Sequence, residues 1–497
     1  MKKSFMFVAV AAAGMLASCS SDSLTAGPDP KIEPTQEDLV PIEISVATPV
    51  ARAATRGTGT VGGTDDTPST GDNYWQAEKV NVFMFNQNSL NLALEDPEDA
   101  NSALYDNTEL TTPESAAQMG GGSNTNKGIA YEITAGRVKY KYYPVTGNFD
   151  FWGYYADDAA TGAPARDAAA PNTTKITVPF TINGTQDLMV AKAKPTDAQQ
   201  DIIDDDAFGT DKTRYYSAFS ARKNVQPEMS FNHLLTRLTF SVLAGNEKTR
   251  GWKESAPGAG DWAKPADGKP YEGVFIKSIK VRSLKTGEII VAYTGANKTL
   301  PELISFTEST PAAPADSAWF DLKGLRNDPA ATVQTLDPLY DPAVFEIAGD
   351  PAPWTTDYLT TNKLLLWNDG GTGDNANWGK IWRPKTLATA PLTPNPDGDP
   401  IGGAIFVAPE EPSFIIKVEL GQYLLDSEDA PAGSGTNQTF KVKYTTFERE
   451  ITPTSGTKFD QKTSYNVKMT LYGFERIEIT TKLEPWLEGD DVEFGVE

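Results

Sequence analysis

Cys19 and His233 are the sole cysteine and the sole histidine among 497 residues, so thiol and imidazole chemistry have one place each. A disulfide needs two cysteines and a structural zinc site several thiolates or imidazoles, which removes both. His233 stands in Phe231-Asn232-His233-Leu234-Leu235, at the start of an alternating run, where a packed, hydrogen-bonded imidazole is expected. Histidine-based catalysis would need a serine and an aspartate brought to it, and no Gly-x-Ser-x-Gly elbow, His-Glu-x-x-His pair or Walker loop occurs. The 67 acidic residues are too many for spacing to single out a glycosidase pair. Asp201-Ile202-Ile203-Asp204-Asp205-Asp206 and Asn368-Asp369-Gly370-Gly371-Thr372-Gly373-Asp374-Asn375 offer oxygen ligands, but neither has EF-hand spacing and solvated turns account for them. The expectation is no enzyme, no metal and no cofactor.

Cys19 has a different use. Lys2 and Lys3 form a positive start, Phe5 to Leu16 an apolar run too short to span a bilayer comfortably, and Ala17 and Ser18 are the small residues before the cysteine. This is the layout of a secretory signal peptide over residues 1–18. Leu16-Ala17-Ser18-Cys19 resembles the lipobox of bacterial lipoproteins, which implies that Cys19 becomes the first residue and carries lipid. Each buried methylene is worth about 0.8 kcal/mol and stable anchoring takes more than one chain, which a triacylated terminus supplies. Residues 19–38 then read as a polar, breaker-rich tether. A formal net charge of −23 repels phosphate backbones, so nucleic acid is not an expected partner.

The other positions of chemical interest are Arg52 and Arg56, in Val50-Ala51-Arg52-Ala53-Ala54-Thr55-Arg56-Gly57. Basic residues among small, flexible neighbours are what a trypsin-like protease binds in extended form. Arg56 is the preferred cut and Arg52 the alternative. They follow directly on Ile42-Glu43-Ile44-Ser45-Val46, whose alternation predicts a first strand over residues 41–47 with Ile42, Ile44 and Val46 on its inner face. The other end mirrors it. Ile477-Glu478-Ile479-Thr480-Thr481-Lys482-Leu483 places Ile477, Ile479 and Leu483 on one face, after a break at Gly473.

The elements that must position these residues read as β throughout. Period-2 runs recur at Lys175 to Phe180, Leu238 to Leu243, Phe275 to Val281, Phe414 to Leu420 and Tyr465 to Leu471, divided by Gly, Pro, Asn and Asp. Asn81-Val82-Phe83-Met84-Phe85 is apolar on both faces, as a central strand would be. Tyr142 to Tyr155 reads as an aromatic hairpin turning at Gly147-Asn148. An all-β chain of sandwich type is expected, divided near Asn224 to Met229 into domains of 39–228 and 229–497. Trp354, Trp367, Trp378 and Trp382 could alternatively form an aromatic platform for sugar rings.

The segments "IEISVATPVARAATRG", "YWQAEKVNVFMFN", "YYPVTGNFDFWGYY", "DLMVAKA", "MSFNHLLTRLTFSV" and "YNVKMTLYGFERIEITTKLEPWLEGDD" follow one another in this order. Together they resemble the fimbrillin family, the type V pilus subunits and pilus-like lipoproteins of Gram-negative gut and oral anaerobes. The resemblance implies two tandem transthyretin-like Greek-key β-sandwich domains behind a lipoprotein signal peptide. It implies an outer-membrane lipoprotein precursor held by lipid on Cys19, cleavage after an arginine that frees the first strand, and polymerisation by strand exchange with other pilus subunits. The donor strand would lie in residues 474–487, and the fibre would serve adhesion to a host or bacterial surface ligand. The alternatives are a tip or accessory adhesin that donates no strand, and a surface glycan-binding lipoprotein.

Overall fold

The computed structural model describes residues 39–47, 75, 77–113, 127–169, 172–205, 215–245, 274–307, 319–322, 345–347, 399–425, 438–474 and 476–484. The chain divides into Met1–Leu39, of which Leu39 alone is described, and Val40–Glu497. Cys19, Arg52, Arg56, Trp354, Trp367, Trp378, Trp382 and the Asn368 to Asn375 loop lie outside the described residues.

The strands of the second unit begin with β1 (Ile44–Ala47), β2 (Lys79–Asn86), β3 (Thr108–Thr111), β4 (Lys127–Ala130), β5 (Glu132–Thr134) and β6 (Arg137–Lys139). Next come β7 (Phe149–Tyr155), β8 (Ala165–Arg166), β9 (Lys175–Thr181) and β10 (Met189–Lys192), then helices α1 (Asp197–Asp204) and α2 (Ala218–Ala221). After them run β11 (Glu228–Ser230), β12 (Asn232–His233), β13 (Thr236–Ala244), β14 (Val274–Arg282), β15 (Thr286–Tyr293) and β16 (Ile304–Phe306). The last are β17 (Trp319–Asp321), β18 (Phe345–Ile347), β19 (Asp399–Pro400), β20 (Ile405–Val407), β21 (Phe414–Leu425), β22 (Gln438–Ile451), β23 (Ser464–Leu471) and β24 (Ile477–Glu484). Every period-2 run singled out above lies in a strand, except that the first strand begins at Ile44 and not at residue 41, and the fold is all-β.

The sheet ordered β12-β10-β7-β2-β3 is a wall between two cores. Because successive side chains leave opposite faces of a strand, β2 sends Val80, Val82 and Met84 into one core and Phe83 and Phe85 into the other. β7 divides likewise, with Phe149 and Phe151 on the first side and Trp152 and Tyr154 on the second. The first core is closed by the three-stranded sheet β11-β1-β4. The second is closed by the sheets carrying β9 and β15, β14 and β21, and β13 and β23.

Two features depart from local reading. The aromatic run forms one strand, not a hairpin: Phe149–Tyr155 pairs with β2 and β10, while Tyr142 bridges Pro41. The Asp201 run is no turn either. Thr196 and Gln199 make a capping box that starts α1, and Asp201 to Asp204 lie within that helix. In addition, β9 pairs with β15 through seven residues, so a ladder spans the expected division at residue 228.

Candidate functional site

The first strand occupies a slot in the β11-β1-β4 sheet. β1 lies between β11, which it pairs in parallel, and β4, which it pairs antiparallel. Val40, Ile42, Ile44 and Val46 point into the first core and are all under a tenth exposed. Burying an aliphatic side chain of this size contributes about 1.5–3 kcal/mol, so these four are the main apolar attachment of the segment.

Its backbone is held on both edges. On one, Ile42 N–H donates to the Lys141 carbonyl and Tyr143 N–H to the Val40 carbonyl, both at 2.9 Å, before β4 takes over. Lys141 is fixed in turn: it pairs with Glu132 at 3.0 Å, donates to the Leu104 carbonyl and lies 4.3 Å from the centre of the Tyr105 ring. Burial holds its ammonium pKa below the usual lysine range against the pull of Glu132. On the other edge, Ser45 N–H donates to the Pro227 carbonyl at 3.0 Å. Next to it the Gln226 carboxamide donates from Nε2 to the Pro41 carbonyl at 3.0 Å and accepts the Glu43 N–H at Oε1 at 3.3 Å. Tyr143 donates its hydroxyl to the same Oε1 at 3.2 Å; burial raises that phenol well above its ordinary pKa and keeps it a donor. No periodicity in the sequence pointed to Gln226, because a polar residue before a proline reads as ordinary turn chemistry.

The last strand lies elsewhere. β24 pairs with β23 over eight residues and, among the described residues, with no second strand, which makes it an edge. Ile477 is buried and Ile479 is packed against the second core, but Leu483, expected on the same face, is half exposed at 51%. Thr481 takes the buried place between them and is tied to the preceding loop. Its hydroxyl donates to the Thr452 carbonyl at 2.6 Å, and Thr454 donates its own hydroxyl to the Thr481 carbonyl. Gly473, at φ +70°, makes the turn from β23, and a Cβ there would meet nothing within 4 Å. The structure thus does not bring these two strands together: β1 belongs to one core and β24 to the other.

His233 is wholly buried, with Nδ1 2.6 Å from Asp187 Oδ2. Asp187 N–H donates to Asp157 Oδ2 at 3.3 Å, and burial, reinforced by Asp187 and Asp158, raises the Asp157 carboxyl to about 6. In this conformation a substrate arriving from solvent has no contact with the imidazole, and the cluster ties the start of β10 to β12 and to the end of β7.

No family model and no curated protein matches the chain. Among solved structures, it is similar to a "putative cell adhesion protein" from Bacteroides uniformis, with 13% identity and a TM-score of 0.37 over 90% of this chain and 99% of that one. A like-described protein from Bacteroides ovatus is 13% identical, with a TM-score of 0.36 over 91% of this chain and 99% of that one. The fimbrial anchor protein Mfa2 from Porphyromonas gingivalis is 9% identical, with a TM-score of 0.25 over 89% of this chain and 98% of that one.

Proposed function

We propose that this protein is a structural subunit of a cell-surface type V pilus, exported as a lipoprotein through Cys19 and serving adhesion. We place the division between its two β-sandwich domains near residue 228, bridged by the β9–β15 ladder and by the core they share. Arg56, or Arg52, is cut to release β1, and the carboxy-terminal segment of another subunit fills the slot. The observation that carries this reading is the state of β1: a short segment at the very start of the unit, paired on both edges and plugged into a core, with arginines five and nine residues beyond its last residue, Ala47. Removing such a strand leaves an apolar groove bordered by unpaired backbone groups, which any strand of like alternation stabilises. β24 meets the requirement. It alternates in the same sense, lies at an edge and is joined to β23 through a glycine turn.

A tip or accessory subunit that donates no strand is the second reading, favoured by the Thr452 and Thr454 clasp and by the burial of Ile477. Cleavage and polymerisation decide between them. Surface-extracted protein is mapped at its amino terminus, then treated with trypsin and run in detergent after mild heating. A terminus just after Arg56 or Arg52 and a ladder of multimers are expected of the stalk subunit. A cleaved chain that stays monomeric alone is the tip or accessory reading, and a chain with β1 still attached that enters fibres sinks strand release.

A further inference from the structure

We infer that Gln226 is the residue that clamps the main chain of whatever strand occupies the β1 slot, so that this end of the groove holds a strand without regard to its side chains. This rests on the strand-replacement reading above. In a parallel ladder, one residue bonds the carbonyl before and the N–H after the residue it faces. The main-chain ladder from β11 stops at Pro227, whose carbonyl accepts from Ser45 but which has no N–H to give. One rung further along the segment, the Gln226 side chain provides a donor and an acceptor where a main chain would. Its amide N–H₂ reaches the carbonyl of Pro41 and its oxygen accepts the N–H of Glu43, so the carboxamide faces Ile42 as a strand residue would.

Three neighbours keep that carboxamide in place. Gln199 Nε2 donates to the Gln226 main-chain carbonyl at 2.9 Å, and Gln199 is itself locked in the capping box of α1. The Tyr143 hydroxyl fixes which end of the amide is oxygen, since it donates to Oε1. Pro227, buried, limits the backbone on the other side. A pre-positioned donor and acceptor two residues apart along the slot is a clamp for extended main chain. Main-chain donors and acceptors repeat every two residues along a strand edge, so the carboxamide holds any extended segment whose alternation turns its aliphatic face inward, and the side-chain pockets of the groove fix the register.

The test uses full-length protein cleaved with trypsin, with labelled peptides replacing the resident first-strand fragment. A peptide of residues 40–47 carries a single N-methyl group at each non-proline position in turn, and a peptide of residues 474–484 is scanned the same way. N-methylation at Glu43 should weaken the first peptide about tenfold, and in Gln226→Ala that penalty should disappear while the penalties at other positions persist. In the second peptide one position alone, among Glu478, Thr480 and Lys482, should show a penalty that depends on Gln226, which reports its register. Gln226→Glu, which keeps size and acceptor but sets an oxygen against the Pro41 carbonyl, should weaken the unmethylated peptides as well, and it stands in should Gln226→Ala not fold. Penalties identical with and without Gln226 overturn its role while leaving strand replacement intact. If neither peptide binds, strand replacement fails and this inference falls with it.

Discussion

His233 Nδ1 and Asp187 Oδ2 lie 2.6 Å apart with both side chains almost wholly withdrawn from water, joining β12 to the segment that leads into β10. A buried polar group that loses its partner retains its full desolvation penalty. Asp187→Ala should therefore lower stability by about 1–3 kcal/mol, read as a fall in the urea midpoint at unchanged slope. An unchanged midpoint would mean that the imidazole is held by something other than this contact.

Asp157, in the same cluster, gives a pH dependence of defined sign. Burial raises its carboxyl from 3.8 to about 6. Between those values the folded chain holds a proton that the unfolded chain has released, so this group withdraws stability as pH rises through the window. Asp157→Asn keeps the carbonyl acceptor, suits the left-handed backbone at φ 42° and cannot ionise. Relative to the parent it should be near neutral at about pH 4 and stabilising by roughly 1–3 kcal/mol at pH 8. Thermal melts of both proteins across that range check it; parallel curves would refute it.

The slot makes a separable demand. Ile44→Ala, at a side chain 1% exposed, should cost about 2–5 kcal/mol in the uncut chain and speed trypsin release of the amino-terminal fragment. Digestion time courses alongside denaturation would show both effects moving together.

At the other end the predictions diverge between monomer and polymer. Leu483→Ala, on a side chain half exposed, should change monomer stability by less than about 0.5 kcal/mol yet weaken multimer formation once the strand is donated. Thr454→Val removes the hydroxyl that holds the outer edge of β24 and should raise amide exchange in that strand about five- to tenfold. Equal multimer yields from Leu483→Ala and parent would argue that β24 stays home.

Two glycines should differ sharply in what an alanine costs. Gly473→Ala faces open space and suffers only from its positive φ, a loss of about 1 kcal/mol. Gly287→Ala would set its Cβ 2.1 Å from the Ser305 carbonyl oxygen and 2.9 Å from the Phe180 ring, so β15 and β16 must part there. Its loss should exceed that of Gly473→Ala by several-fold in the unfolding midpoint.

Strand positions were readable from residue order because alternation records which face of each segment is buried, and that is a local property. Asn81 to Phe85 announced a strand buried on both sides, and Ile42, Ile44 and Val46 announced an inner face, since apolar side chains at period 2 have only one way to leave water together. Partners were not readable. Nothing in Lys175 to Phe180 names β15, and the aromatic run after Gly147 pairs with β2 and β10 and not with Tyr142, because ladder bonds join main chains that are alike everywhere. Only the closed fold placed Gln226 beside Pro41 and Glu43, set Asp187 on His233, and left Leu483 outside the core that holds Ile477. Those contacts join residues 46 to 185 positions apart, and distance along a chain carries no information about which surfaces meet.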